Sequence, residues 1–160
     1  MGQSTNAMLV YGYNLGGEEG WELEGCGEYG ELPALDWYNP EDVDGDDFQS
    51  AAERRLLAEL AGFTEEWSRE NEGYFERERA AKTRLGVEFD THCSGNYPMY
   101  LLAAKVITVH RGSVKEVDMA DLAVAPEMNG WNEKLSAALQ ALGIAPTQAR
   151  PRWILCSYWG

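Results

Sequence analysis

No lysine or arginine occurs before Arg54. The same stretch carries thirteen carboxylates: Glu18, Glu19, Glu22, Glu24, Glu28, Glu31, Asp36, Glu41, Asp42, Asp44, Asp46, Asp47 and Glu53. The chain holds 27 acids in all, so 14 remain after Arg54 against 13 bases, and almost the whole net charge of −14 sits in residues 1–53. A field of that sign repels polyanions, which excludes direct nucleic-acid binding, and attracts cations or basic protein surfaces. Apolar runs of the roughly 18 residues a membrane helix needs are missing as well. The N-terminus lacks the basic start and apolar run of a secretory signal, and Asn6 stands where a myristoylation signal needs Ser or Thr. Cysteine is scarce: Cys26, Cys93 and Cys156 are an odd, widely spaced set. They read as reduced thiols of a cytoplasmic protein, not as a disulfide framework.

What is present argues for folding. A hydrophobic fraction of 44% with 18 aromatic residues is more than a disordered acidic chain carries. At 160 residues one domain is expected. Residues 6–13 read as an opening strand that ends in a glycine-rich turn at Gly16-Gly17. From Trp21 the chain alternates, with Trp21 and Leu23 on one side and Glu22 and Glu24 on the other, as in a half-buried strand. Tyr29, Leu32, Leu35, Trp37 and Tyr38 then supply apolar anchors through an irregular, glycine-broken stretch. The acidic segment is therefore expected to fold against the body with its carboxylates outside.

Asp46 or Asp47 can cap a helix with the inner stripe Phe48, Ala52, Leu56 and Leu60, closed by Gly62. A second helix is predicted from Thr64 to Leu85, with Trp67, Tyr74, Ala81 and Leu85 on one face and a kink or break at Gly73. Val87, Phe89 and Thr91 alternate with Glu88, Asp90 and His92, a one-sided strand. Residues 99–110 read as a central strand buried on both faces. Gly112-Ser113 suggests a hairpin turn into a further strand at Val114–Val117. Asn129 is expected to cap a third helix with Trp131, Leu135, Ala138, Leu139 and Leu142 inside, and Arg152–Trp159 closes the chain as a strand. The sum is a single α+β domain over residues 1–160, with a mixed or antiparallel sheet and about three helices mainly on one face. Within it, residues 1–53 form the acidic, aromatic-anchored part and residues 54–160 the near-neutral body.

Three constellations approach known chemistry and miss. Counting from Asp42, carboxylates at Asp42, Asp44 and Asp46 with Glu53 in twelfth place match part of a calcium loop. The glycine required sixth in that loop is Asp47, and Gly45 comes too early. The spacing supports at most weak calcium or magnesium binding by Asp42, Asp44, Asp46 and Glu53, or a metal-dependent hydrolase built on them. The glycines of residues 12–17 keep phosphate-loop spacing, but Glu18 and Glu19 stand where a cation is needed. His92 and Cys93, adjacent on a strand, face opposite ways and cannot activate one another. Cys93 falls on the Val87/Phe89 side and is expected in the core. The outward trio Glu88, Asp90 and His92 reads as a polar or metal-binding patch, or simply as a solvated strand face. No catalytic residues and no cofactor are assigned.

The six tryptophans mostly read as core. Trp21 and Trp37 differ, because aromatics beside carboxylates anchor protein interfaces. With Glu22, Glu24, Glu28, Asp42 and Asp44 they form the candidate partner-binding set. Arg77, Arg79, Lys82 and Arg84 along the second helix either hold the acidic segment within the molecule or form half of a homodimer contact.

The opening MGQSTNAMLVYGYNLGG, the middle YPMYLLAAKVITVHRG and the ending PRWILCSYWG resemble small acidic accessory proteins encoded by tailed phages of actinobacteria. The resemblance spans the chain. It implies no activity and no catalytic residues; it implies a viral protein, in the cytoplasm of a bacterial host, that binds a host or defence protein. The expected function is accordingly non-enzymatic: the acidic third occupies a basic protein surface. A DNA mimic is one form of this. Duplex DNA places a phosphate about every 3.4 Å along each strand, while alternate residues of a β-strand such as Glu22 and Glu24 recur about every 6.6 Å.

Overall fold

Backbone pairing begins with β1 (Thr5–Gly17) and β2 (Gly20–Trp21), joined by a two-residue turn at Glu18-Glu19. Four helices and three more strands follow: α1 (Phe48–Ala61), α2 (Tyr74–Leu85), β3 (Glu88–Ser94), β4 (Pro98–His110), α3 (Met119–Met128), α4 (Trp131–Leu142) and β5 (Arg152–Trp159). This computed structural model describes residues 5–42, 44–94 and 96–159. The architecture is a single α+β domain with a mixed five-strand sheet in the order β2-β1-β4-β3-β5. The sheet also closes on itself. β1 pairs with both β4 and β5, and Cys93-Ser94 meets Tyr158-Trp159 in parallel.

Such curvature needs breaks in the ladder, and β1 against β4 shifts register at Tyr11/Gly12 and again at Asn14/Gly16. The glycines of residues 12–17 serve this bend. A Cβ on Gly12 would lie 1.9 Å from the Leu102 carbonyl oxygen, and one on Gly16 would lie 2.1 Å from that of Gly20. The expected glycine turn is thus the bulged end of a longer strand.

The sheet has an apolar cluster on each face. On the helix side Tyr11, Leu15, Phe89, Tyr100 and Leu102 meet Phe48, Leu56, Ala81, Leu135 and Leu142. On the other side Met8, Val10, Leu101 and Ala103 pack with Val106, Ile154, Cys156 and Tyr158.

Several helix boundaries follow the expected chemistry. The Asp47 carboxylate accepts the Ser50 N–H at 2.8 Å, and Gly62 ends α1 in the left-handed region. The second helix is shorter than expected. Gly73, at φ 73°, breaks it, and α2 begins only at Tyr74. Thr64 to Gly73 is irregular, with short turns at residues 69–70 and 72–73, and is tied together by Arg77 and Asn71 on Glu65; Trp67 is 57% exposed instead of packed. The helix at Trp131 starts from Gly130, not from an Asn129 side-chain cap; Asn129 instead ends α3.

α3 is a fourth helix that the apolar pattern does not announce. Asp118 caps it by accepting from Ala120 and Asp121. Pro126 lies inside it and has no N–H to give to Leu122 four residues earlier. Trp153 Nε1 supplies that missing donor to the Leu122 oxygen at 2.9 Å. The expected strand at Val114–Val117 does not form. A turn closes with Ser113 N–H on His110 O at 3.0 Å, and the chain then leaves the sheet with Val114 94% exposed.

Candidate functional site

The acidic segment is held to the body by an aromatic cluster around Phe48, the first residue of α1 and only 1% exposed. Trp21, Tyr100, Trp37, Tyr38 and Phe89 place their ring centroids 4.7, 5.0, 5.5, 5.5 and 6.1 Å from it. Trp21 also stacks on Tyr100, with 10° between the planes. Trp37 donates Nε1–H to the Leu142 carbonyl at 2.8 Å, satisfying a free acceptor at the end of α4. Both candidate anchor tryptophans are therefore half-buried and committed inside the molecule.

Backbone bonds fix the carboxylates nearest to them. Glu24 N–H donates to Ala145 O at 2.7 Å, Thr147 N–H donates to Glu22 O at 2.9 Å, and Leu23 bridges Pro146. The half-buried strand expected at residues 21–24 is thus two residues of β2 plus this isolated bridge. It still puts Leu23 inside and Glu22 and Glu24 outside. Thr147 Oγ1 donates to Glu22 Oε2 at 3.0 Å. Glu28 lies exposed on the following turn.

Twelve of the thirteen carboxylates are exposed, Glu53 being the exception. Three have ion-pair partners: Asp46 with Arg54, Asp36 with Arg55 at 3.5 Å, and Glu53 with Lys82 at 3.5 Å. The other ten have none among the described residues. Arg54 and Arg55 of α1, with Lys82 of α2 at Glu53, are thus the internal counter-ions of the acidic segment among the described residues. In α2, Lys82 reaches only Glu53 and Glu78, Arg77 pairs with Glu65, and Arg84 donates to Ala61 O at 3.1 Å. The field of Glu18 and Asp47 is felt by the neighbouring phenols. Burial first, and then these two carboxylates, push the Tyr38 hydroxyl upward. Burial, Asp47 and Glu18 together raise Tyr100 to about 12.

The four candidate metal ligands are not brought together. Asp42, Asp44 and Asp46 line a hollow with Trp37 and Tyr38 that Arg54 and Arg55 also line, so a guanidinium already neutralises Asp46. Glu53 is turned the other way, toward Lys82 and Gln49. Among the described residues no group of three or more His, Cys, Asp or Glu side chains is arranged to hold a metal ion.

Two expectations around β3 are corrected. Cys93 adopts φ 75° and is exposed, because the strand kinks there and its alternation ends. Glu88 is exposed, but Asp90 and His92, opposite Leu101 and Met99 on the side of the second cluster, are half-buried, so the trio does not form a uniformly solvated face. Burial lowers the pKa of His92 and, with Asp90 beside it, raises that of Cys156. Neither shift produces an activated nucleophile.

No family model, curated protein or solved structure matches the chain. Among the described residues no helix is long and apolar enough to cross a membrane.

Proposed function

We propose that this is a non-enzymatic interaction protein of the phage accessory type, which binds a basic surface on a host or defence protein in the bacterial cytoplasm through its acidic segment. The observation that carries the reading is the set of ten exposed carboxylates without internal cations, mounted on a segment that buried aromatics hold in place. An acidic tail that is merely flexible pays an ordering entropy on binding; a pinned one presents its charges already arranged. Charges of one sign over a surface also accelerate encounter with an oppositely charged partner. Trp21 and Trp37 act in this reading as internal supports, and Glu22, Glu24, Glu28, Asp42 and Asp44 as the contacting groups.

The test is capture from bacterial lysate at low and high salt, comparing wild type with a variant carrying E22Q, E24Q, D42N and D44N. Wild type is expected to hold a basic protein at low salt and release it as salt rises, since exposed charges are screened beyond about 8 Å at physiological ionic strength. The variant is expected to hold none. Retention that is independent of salt, or equal retention by the variant, refutes the reading. Displacement of the captured protein by duplex DNA distinguishes a DNA mimic from a general acidic ligand.

A further inference from the structure

The expected hairpin partner of β4 is missing, and its absence leaves a sheet edge open. β4 pairs with β1 along its length on one flank. On the other flank, among the described residues, it pairs with β3 only from Pro98 to Ala103. Burial changes at the same place: residues 100–103 are buried, whereas none of residues 104–110 is. The chain that could have covered this flank, Val114–Val117, turns away toward α3.

Where β3 begins, the open flank runs into a hollow of about 300 Å³ between α1, α2 and the sheet. Leu57, Leu85 and Val87 form its apolar floor, and Ala104 to Val106 of the open flank form one wall. Glu53, Glu88, Lys82 and Lys105 stand around it. Lys82 is already held 3.5 Å from both Glu53 and Glu78. Burial first, and then Asp90 and Glu53, raise the pKa of Glu88 against the opposing pull of Lys105. With Glu78 at Lys82 and Asp90 near Glu88, four carboxylates face the two lysines beside the apolar floor. An unpaired strand edge beside a side-chain hollow is the arrangement that binds an extended peptide by strand addition. The main chain supplies hydrogen bonds and alternate side chains supply selectivity.

We propose that this groove binds an extended segment of a partner protein as an added strand along residues 104–110 of β4, with an apolar side chain in the hollow and a lysine or arginine at Glu53 and Glu88. The added strand follows the line of β3 and runs antiparallel to β4. This site is separate from the surface at Glu22, Glu24, Glu28, Asp42 and Asp44, and the inference does not depend on that surface.

The test uses a capped heptapeptide of alternating valine and lysine, with amide exchange of the whole protein followed residue by residue. Binding is expected to slow exchange of alternate amides within residues 104–110 by about tenfold or more. A valine–glutamate peptide, or one with proline at its centre, is expected to bind about tenfold more weakly. Glu88→Lys, at an exposed rim position, is expected to remove the preference for lysine over glutamate. The variant carrying E22Q, E24Q, D42N and D44N is expected to retain the protection at residues 104–110 even where it has lost capture of a basic protein, so the two proposals fail separately. The proposal is overturned if protection falls only on residues 18–47, if the proline peptide binds equally, or if about 1 mM peptide protects nothing at residues 104–110. It is also overturned if the protein alone is a dimer with residues 104–110 already protected, since a second copy then fills the groove.

Discussion

Replacing Phe48 by alanine tests the idea that one residue joins the acidic segment to the body. Phe48 is 1% exposed, and five rings lie with centroids between 4.7 and 6.1 Å of its own. Buried Phe→Ala changes cost about 3–5 kcal/mol, and a site walled by five rings, three of them hydrogen-bonded or stacked elsewhere, cannot easily collapse into the space. A value near 4 kcal/mol is therefore expected, against a total stability of about 5–15 kcal/mol for an ordinary domain. At roughly 2–4 °C per kcal/mol for a chain of this size, the melting temperature should fall by about 8–16 °C. Urea unfolding followed by tryptophan fluorescence gives the free energy. Amide exchange should quicken more in residues 21–38 than in α4, since the former depend on the Phe48 ring for their attachment. Tyr29→Ala is the control: Tyr29 is 87% exposed, and its loss should cost less than about 0.5 kcal/mol. A Phe48→Ala cost below about 1 kcal/mol, or a loss spread evenly over the chain, would refute the reasoning.

Three further outcomes are expected. Trp153→Phe removes the donor that serves the Leu122 carbonyl beside Pro126, costing about 1–3 kcal/mol and speeding exchange in α3; adding Pro126→Ala should restore part of the loss, because the helix then supplies its own N–H. Glu65 receives two hydrogen bonds from Arg77 and one from Asn71, which hold its carboxyl at about 2 instead of 4.5. A depressed carboxyl contributes stability that is present above its unfolded value and lost as pH falls through the folded one, so the window here runs from about 4.5 down to about 2. Carboxyl NMR should place the midpoint near the low value, and Arg77→Ala should return it toward 4.5. Thermal melts in calcium, magnesium or EDTA should coincide, since Arg54 neutralises Asp46 and Glu53 faces Lys82; a rise of several degrees at millimolar metal would restore the cation-binding alternative at Asp42, Asp44, Asp46 and Glu53.

Local chemistry was legible where a residue acts on its own neighbours. The Asp47 cap, the Gly62 stop, the break at Gly73 and the apolar stripe of α4 are all short-range signals, and each lies within a few residues of where its effect is seen. The inward packing of the acidic segment was legible too, because aromatics at that density have no stable place in water. The misses share a cause. Pro126 argues locally against a helix, and only Trp153, 31 residues from Leu122, reverses the argument. Alternation buries Cys93 only if it continues past the kink at φ 75°, where β3 meets β5. Val114–Val117 has strand chemistry but no strand, because the chain turns off to α3.

By itself the sequence determined the sign and place of the charge, the α+β class and most element boundaries, since these follow from composition, periodicity and neighbours within one or two turns. Only the tertiary structure decided which carboxylates are neutralised, which groups Trp21 and Trp37 are committed to (the Phe48 ring, Tyr100 and the Leu142 carbonyl), and that β4 keeps an open flank beside an apolar hollow. Those outcomes depend on groups brought together from distant parts of the chain. Whether a polar group is satisfied or a strand edge covered is settled by whichever remote group arrives, as Trp153 does at Leu122 and Arg54 does at Asp46.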